Sequence, residues 1–237
     1  MKKQIILLSL VLLTIFNYSE AQQKYAVLVA GDYLATNVPA EDKWNGGDDP
    51  GIDGYYEFWN DCYLIWETLL FNKEYESENV NVLFADKVDY YINHQWVDIR
   101  YRPQYHDMQN VSDDFAAKSV LAGVFTNLAN TMDDDDFLFV WIMSHGGYDE
   151  NVNNGSSYIY LRDYTNGTNE LLYDYELKTM LDPINSLKQV VFVHAPHSGN
   201  FTEELADPDR IILASCGIEE SAQREVELDG QVFRHPL

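Results

Sequence analysis

The stretch that decides the fold reads FLFVWIMSHGG and occupies residues 137–147. Its first seven residues are continuously apolar, which is typical of a strand buried on both faces of a parallel sheet. The apolar run stops at a serine, so His145 and Gly146 are expected just beyond the carboxyl end of that strand. Ligands of open α/β sheets bind at the carboxyl ends of the strands. This strand end is therefore the first candidate site.

A second stretch of the same kind lies nearer the C-terminus and reads VVFVHAPHSGNF, residues 190–201. Its apolar run ends at His194, and a short turn with Pro196 and Ser198-Gly199 follows. If the two strands are neighbours in one parallel sheet, their carboxyl ends lie at the same rim. The sequence then predicts that residues 145 and 196 lie side by side.

Further apolar runs predict the remaining elements. Strands are expected at residues 25–30, 80–85 and 210–215, with a small hairpin formed by residues 158–161 and 170–172. Helices are expected at residues 55–71, 173–181 and 202–206, and at residues 112–132 with Ser112-Asp113-Asp114 as the N-cap. Residues 86–111 are interpreted as an insertion. Because strands alternate with helices, we expect an α/β fold with a three-layer, doubly wound, mostly parallel sheet.

The N-terminus has the pattern of a secretory signal peptide. Lys2 and Lys3 precede an apolar run at residues 5–16, and Ser19-Glu20-Ala21 offers a cleavage site of small residues. The run is too short to cross a bilayer, so no membrane span is predicted. Residues 1–21 are therefore interpreted as a signal peptide and residues 22–237 as one secreted or periplasmic domain. A buried N-terminal helix is the alternative.

The composition restricts the partners. The formal net charge of -24 repels the phosphates of nucleic acids and of anionic membranes, so neither is predicted as a partner. Acidic loops at residues 48–61 and 133–136 leave calcium open as a ligand, and no other cofactor is predicted. Of the two cysteines, Cys62 lies in a helical apolar pattern and is expected to be a buried thiol.

The two strand ends, in this order, resemble those of the legumain-like peptidases of the caspase–hemoglobinase clan. In that family one strand ends in His-Gly, and the next core strand ends in a small residue, Cys, any residue and Ser-Gly. The resemblance extends over residues 25–233 and includes the segment RIILASCGIEES. It implies a catalytic role for His145 and Gly146 and a nucleophile at the position of Pro196. It further implies contacts with a peptide or protein substrate by residues at the same rim, namely His194, Ser215 and Cys216.

Pro196 departs from the family pattern, because proline has neither a nucleophilic atom nor a backbone N–H. His194 stands where legumain has an acidic residue that helps to recognise the substrate. The resemblance thus implies an inactive peptidase homologue with a caspase–hemoglobinase-like fold. Residues 230–233 resemble the lead-in to the family's last helix and strand, so a domain truncated at its C-terminus is expected.

Three alternatives remain open. The chain could be an active endopeptidase that uses Cys216, or one in which position 196 is a sequence error. It could instead be a secreted calcium-binding or adhesion module. A zinc site at His145, His194 and His197 is disfavoured, because a His-x-x-His spacing at a strand end does not place both rings on one face.

Overall fold

The computed structural model describes residues 22–31, 54–84, 91–92, 95–96, 111–163, 168–221, 225–226 and 232–233. The signal peptide predicted for residues 1–21 and most of the insertion predicted for residues 86–111 lie outside this part. Within it, no helix combines the length and the apolar character needed to cross a lipid bilayer.

Strands and helices alternate along the chain. The strands are β1 (Lys24–Ala30), β2 (Val80–Phe84), β3 (Tyr91–Ile92), β4 (Gln95–Trp96), β5 (Phe137–Met143), β6 (Gly146–Asp149), β7 (Ser156–Asp163), β8 (Thr168–Tyr173), β9 (Lys188–His194), β10 (Arg210–Ala214), β11 (Glu225–Val226) and β12 (Val232–Phe233). The helices are α1 (Gly54–Asn72), α2 (Lys118–Thr131), α3 (Asp174–Leu181) and α4 (Gly199–Glu204), and residues Ser77–Asn79 form a 3-10 turn.

The central sheet has five parallel strands in the order β10-β9-β5-β1-β2. All five strands predicted from the apolar runs are present. Strand β5 lies in the middle, between β1 and β9, which explains why its sequence is apolar throughout. The register pairs Met143 of β5 with His194 of β9. The carboxyl ends of the two strands therefore meet at one rim.

Helices cover both faces of the sheet and form the outer layers of a three-layer α/β fold. On one face, α1 buries a stripe of side chains against β1 and β2, consisting of Cys62, Tyr63, Ile65, Trp66 and Leu69. On the other face, α2, α3 and α4 pack against β1, β5 and β9 through Leu121, Phe125, Leu128, Leu177, Leu181 and Phe201. Each leucine, isoleucine or phenylalanine among them contributes about 1.5–3 kcal/mol when it is fully buried. The buried thiol predicted for Cys62 is confirmed.

The predicted N-cap at Ser112-Asp113-Asp114 is wrong, because α2 begins only at Lys118. The residues before it run alongside β2 instead. The backbone N–H of Val82 donates to Asp113 Oδ2 at 2.8 Å, and that of Phe84 donates to the Asp114 carbonyl at 3.0 Å. The edge of β2 presents unpaired backbone groups, and satisfying them outweighs the capping preference of these residue types.

A second, antiparallel sheet of three strands, in the order β6-β7-β8, follows the end of β5. The predicted hairpin is confirmed as β7 and β8, with Ile159 opposite Leu172. Strand β6 was not predicted, since its sequence GGYD lacks an apolar alternation. It starts at Gly146, so the second sheet grows directly out of the rim. The short helix predicted at residues 202–206 begins earlier, as α4, immediately after Ser198.

Candidate functional site

The ends of β5 and β9 form the centre of the candidate site. The backbone N–H of Ser144 donates to the carbonyl of His194 at 3.2 Å, which extends the pairing beyond the strands. One step further, a β-carbon on Gly146 would lie 2.6 Å from the Pro196 carbonyl oxygen and 3.1 Å from the Ala195 β-carbon. The structure thus brings the two predicted strand ends into direct contact.

His145 occupies the turn between β5 and β6 and is exposed to solvent. Its carbonyl accepts a hydrogen bond from the backbone N–H of Tyr160 at 2.9 Å, which fixes the turn against β7. Gly146 follows in a narrow slot between Pro196 and the Tyr158 carbonyl, which would lie 2.9 Å from an added β-carbon. The His-Gly pair is therefore an exposed imidazole followed by a position that admits no side chain.

Gly31 follows the end of β1, on the side of β5 opposite β9. Its N–H donates to the Met143 carbonyl at 2.9 Å. A β-carbon there would collide with the Tyr160 carbonyl and with the buried hydroxyl of Ser144, which itself donates to that same carbonyl. The requirement for glycine here was missed from the sequence. The signal that could have indicated it is a glycine directly after a buried strand.

The turn that carries Pro196 is held from two directions. His197 adopts the left-handed backbone conformation, with φ of 60°. Its N–H donates to the Glu220 carbonyl at 2.9 Å, and its Nδ1 donates to the Ile218 carbonyl at 2.7 Å. From the hairpin side, the Ser157 hydroxyl donates to the His197 carbonyl. The position of Pro196 is thus set by both the loop after β10 and the second sheet.

Ser198 and Cys216 lie next to each other, where the Pro196 turn meets the residues after β10. The Ser198 side chain is fully buried, with its hydroxyl 3.5 Å from Ser215 Oγ and 3.8 Å from Cys216 Sγ. The half-buried thiol of Cys216 donates to the Ala195 carbonyl at 3.2 Å and lies 3.3 Å from the Glu220 carbonyl. In the described part of the chain, no imidazole is among its hydrogen-bond partners.

His194 and Ser215 occupy the ends of β9 and β10. The His194 ring is half-buried and stacks on Phe192, with 5.9 Å between centroids and 5° between planes. Ser215 is exposed, and its hydroxyl donates to the Ala195 carbonyl at 3.2 Å. The predicted substrate contacts therefore lie at the same rim as His145, one and two strands away from β5.

Sequence reasoning missed Asp174, the first residue of α3. Its carboxylate is buried and accepts hydrogen bonds from the Ser157 N–H at 2.8 Å, the Asn200 amide at 2.5 Å and the Tyr175 N–H at 2.8 Å. These donors belong to β7, α4 and α3. One carboxylate therefore connects three elements next to the Pro196 turn. The sequence signal that could have indicated this residue is an acid at the N-terminus of a predicted helix.

No group of three or more His, Cys, Asp or Glu side chains in the described ranges is arranged to hold a metal ion. Two of the carboxylates considered for calcium stabilise a turn. Asp136 is buried and accepts from the Gln23 N–H at 2.8 Å and the Asp133 N–H at 3.1 Å, while Asp133 accepts from the Asp135 N–H at 2.9 Å. Residues 48–49 lie outside the described part.

No family model matches the chain, and no curated protein matches it. Among solved structures, it is similar to the crystal structure of protein GSU0716 from Geobacter sulfurreducens, with a TM-score of 0.41 and 13% sequence identity. The alignment covers 80% of this chain and 57% of that one, so the chain spans less than two thirds of its length.

Proposed function

We propose that this chain is a non-catalytic homologue of the legumain-like cysteine peptidases that binds a peptide or protein segment at the rim without cleaving it. The observation that carries the proposal is the register of Met143 with His194, which aligns the two predicted strand ends. A cysteine peptidase needs its imidazole and its thiol within hydrogen-bond reach of each other. Two neighbouring strand ends can place the two side chains in that way. The caspase–hemoglobinase-like fold is part of the same proposal and is supported by the parallel five-stranded sheet.

Pro196 is the reason for the lost chemistry. A peptidase nucleophile must attack a carbonyl carbon, and the pyrrolidine ring has no atom that can do so. Proline also removes a backbone N–H that could donate to the oxyanion. The rim would then retain the exposed imidazole of His145 without a nucleophile at position 196, which suits binding rather than turnover.

Two residues could replace the missing nucleophile, and the environment of each disfavours that role. Ser198 is fully buried, so a substrate carbonyl cannot reach its hydroxyl without rearrangement. Cys216 belongs to the end of β10, two strand spacings or ~9–10 Å from β5. Its thiol already contacts the carbonyl oxygens of Ala195 and Glu220. Within the described ranges, neither residue has a base among its hydrogen-bond partners, and a nucleophile needs such a contact for activation.

Export of the chain is proposed together with this function. The charged residues Lys2 and Lys3 and the apolar run after them support it. Expression of the full sequence in a Gram-negative host, followed by N-terminal sequencing of the soluble periplasmic product, tests it. We expect the mature chain to start near Gln22, and a cytoplasmic product that retains Met1 would contradict export.

The central experiment rebuilds the lost nucleophile. A Pro196→Cys variant is made on a Cys216→Ser background, which leaves one accessible thiol, and its alkylation rate by an electrophilic peptide probe is measured against pH. If His145 activates the new thiol, adding His145→Ala should slow alkylation at neutral pH by at least about tenfold. His145 is exposed, so this substitution should not impair folding.

Equal alkylation rates with and without His145 would contradict the alignment of the two positions. Incubation of the unmodified protein with a peptide library tests the absence of catalysis separately. We expect no cleavage there. Cleavage that disappears in His145→Ala or in Cys216→Ser would show that the chain is an active peptidase, and it would identify the responsible residue.

A further inference from the structure

Three tyrosines of the second sheet, Tyr160, Tyr158 and Tyr173, form an array with Tyr175 of α3, which we name the tyrosine platform. Their ring centroids follow each other at 5.5, 5.6 and 5.6 Å, the first two contacts edge-to-face and the last one stacked. All four side chains are half-buried, so part of each ring remains at the surface.

The three strand residues of the platform lie on the face of the second sheet that points away from the core. Ile159, Leu161 and Leu172 alternate with the tyrosines and are completely buried on the opposite face. A solvated face of an antiparallel sheet normally carries polar residues. Direct cross-strand pairing accounts for Tyr158 and Tyr173. It does not account for Tyr175, which belongs to α3 and extends the array beyond the sheet.

A negative charge lies beside the rings. Asp149 on β6 pairs with Ser156, two residues before Tyr158 on β7, so its side chain lies on the same face of the sheet as the Tyr158 ring. In keeping with this position, the pKa of Tyr173 is raised by burial and, secondarily, by the charge of Asp149. The hydrogen-bond donors to the Asp149 carboxylate are neutral groups, the N–H and the side-chain amide of Asn151 at 2.9 and 3.3 Å. By contrast, the nearby Glu176 carboxylate pairs with Lys118 at 2.5 Å. Of these two acids, Asp149 is therefore the one that has no cation paired with it among the residues the structure describes and can interact with a ligand.

Aromatic faces next to an acid form a recognisable binding chemistry. Cations are attracted to the faces of tyrosine rings, and a carboxylate at the edge adds a charge-assisted hydrogen bond. The planar guanidinium group satisfies both interactions at once, because it stacks on rings and bonds carboxylates bidentately. Lysine, as a compact and strongly hydrated point charge, does this less well.

We propose that the tyrosine platform and Asp149 form a docking surface for an arginine-bearing peptide segment. This goes beyond the proposed function, since it uses none of the residues at the strand ends. It is continuous with the rim, however, because β6 starts at Gly146 and the Tyr158 ring packs over Gly147. A peptide anchored on the platform would thus extend towards His145.

The test compares two peptides of the same length and sequence, one with arginine and one with its uncharged isostere citrulline at the same positions. Binding to the full chain is measured by isothermal titration calorimetry. We expect the citrulline peptide to bind at least about fivefold more weakly. Asp149→Asn should weaken arginine-peptide binding by about three- to tenfold. Asp134→Asn, which removes the same charge from an exposed turn at the opposite end of β5, should leave it unchanged.

A second pair of variants examines the rings. Tyr175→Phe keeps the aromatic face and should retain the affinity within about twofold, while Tyr175→Leu keeps apolar bulk without that face and should weaken binding about fivefold. Circular dichroism melting establishes whether each variant is folded. If Tyr175→Leu does not fold, the comparison of Asp149→Asn with Asp134→Asn still decides the outcome.

Three results would overturn the proposal. The first is equal affinity for the arginine and citrulline peptides. The second is equal weakening by Asp149→Asn and Asp134→Asn. That result would show that the overall net charge of -24, and not the position of Asp149, attracts the peptide. The third is binding of a neutral oligosaccharide that depends on Tyr175 while the arginine peptide does not bind. His145→Ala should leave platform binding intact, so failure here is distinguishable from failure of the rim proposal.

Discussion

Gly146 lies directly against Pro196, with 2.6 Å separating the Pro196 carbonyl oxygen from the place where a β-carbon on Gly146 would stand. That distance is far below a van der Waals contact, and a backbone carbonyl cannot rotate away as the end of a long side chain can. The glycine is therefore what allows the ends of β5 and β9 to approach each other.

This contact predicts the effect of filling the slot. Gly146→Ala should lower the free energy of unfolding by about 1–3 kcal/mol, because the two strand ends must separate. Gly123→Ala is the matched control, since a β-carbon there meets nothing within 4 Å. On the exposed face of α2 it should stabilise by about 0.5–1 kcal/mol. Urea denaturation measures both, and equal effects would contradict the close approach.

The second prediction concerns the contribution of the buried Asp174 carboxylate to the stability of the fold. Asp174→Ala leaves the donors from Ser157 and Asn200 without an acceptor and should cost about 2–4 kcal/mol of stability. Asp134→Ala, at an exposed position, should change stability by less than about 0.5 kcal/mol. In a double-mutant cycle, Asn200→Ala should cost less once Asp174 is absent. Additive effects would show that the two side chains do not interact.

The third prediction concerns the stability contribution of Arg210, which lies at the start of β10, at the end of the sheet opposite the rim. Its buried guanidinium donates to Gln189 Oε1 at 2.8 Å and to the Leu205 carbonyl at 2.9 Å, and pairs with Asp182 at 3.3 Å. Arg210→Met removes these donors and should destabilise the fold by about 2–4 kcal/mol.

Lys188→Met is the control for Arg210, because Lys188 forms an exposed ion pair with Asp209 at 3.2 Å. Exposed pairs of this kind contribute about 0–1 kcal/mol. Thermal and chemical unfolding of both variants provide the measurement. A loss at Arg210 no larger than the loss at Lys188 would mean that the buried network contributes nothing.

Tyr75 predicts a dependence of stability on alkaline pH. Burial raises the pKa of Tyr75 from 10.0 to about 12 in the folded protein. Since the unfolded chain ionises first, stability is constant below about pH 10 and falls as the pH rises towards 12. The loss should be on the order of 2 kcal/mol. Tyr75→Phe should lack this component, and identical slopes for both proteins between these pH values would refute it.

The apolar runs of the sequence predicted all five strands of the central sheet and the position of its rim. They succeeded because a strand buried on both faces must be apolar at every position, as in residues 137–143. The prediction failed at residues 112–114. Serine and aspartate side chains accept hydrogen bonds from backbone N–H groups at helix caps, but they can also do so away from a helix. Only the presence of β2 beside them decides between the two.

Strand β6 was missed for a related reason. Its sequence GGYD has no alternation of its own, and it becomes a strand because Gly147 pairs with Tyr158 of β7. Glycine at this position leaves space for the Tyr158 ring. The tyrosine platform was missed as well, since the contact between Tyr158 and Tyr173 arises only when β7 pairs with β8 in this register.

The sequence by itself determined where the buried strands run and which side chains follow them, including proline at position 196. Burial patterns are local, because the alternation of a strand and the turn of a helix repeat within a few residues. Only the tertiary structure decided which groups meet. Gln23 and Asp136 bond across 113 positions of the chain, and Ser157 and Asn200 share the carboxylate of Asp174 from two separate elements. No short-range pattern encodes such partners, since they depend on the packing of whole layers.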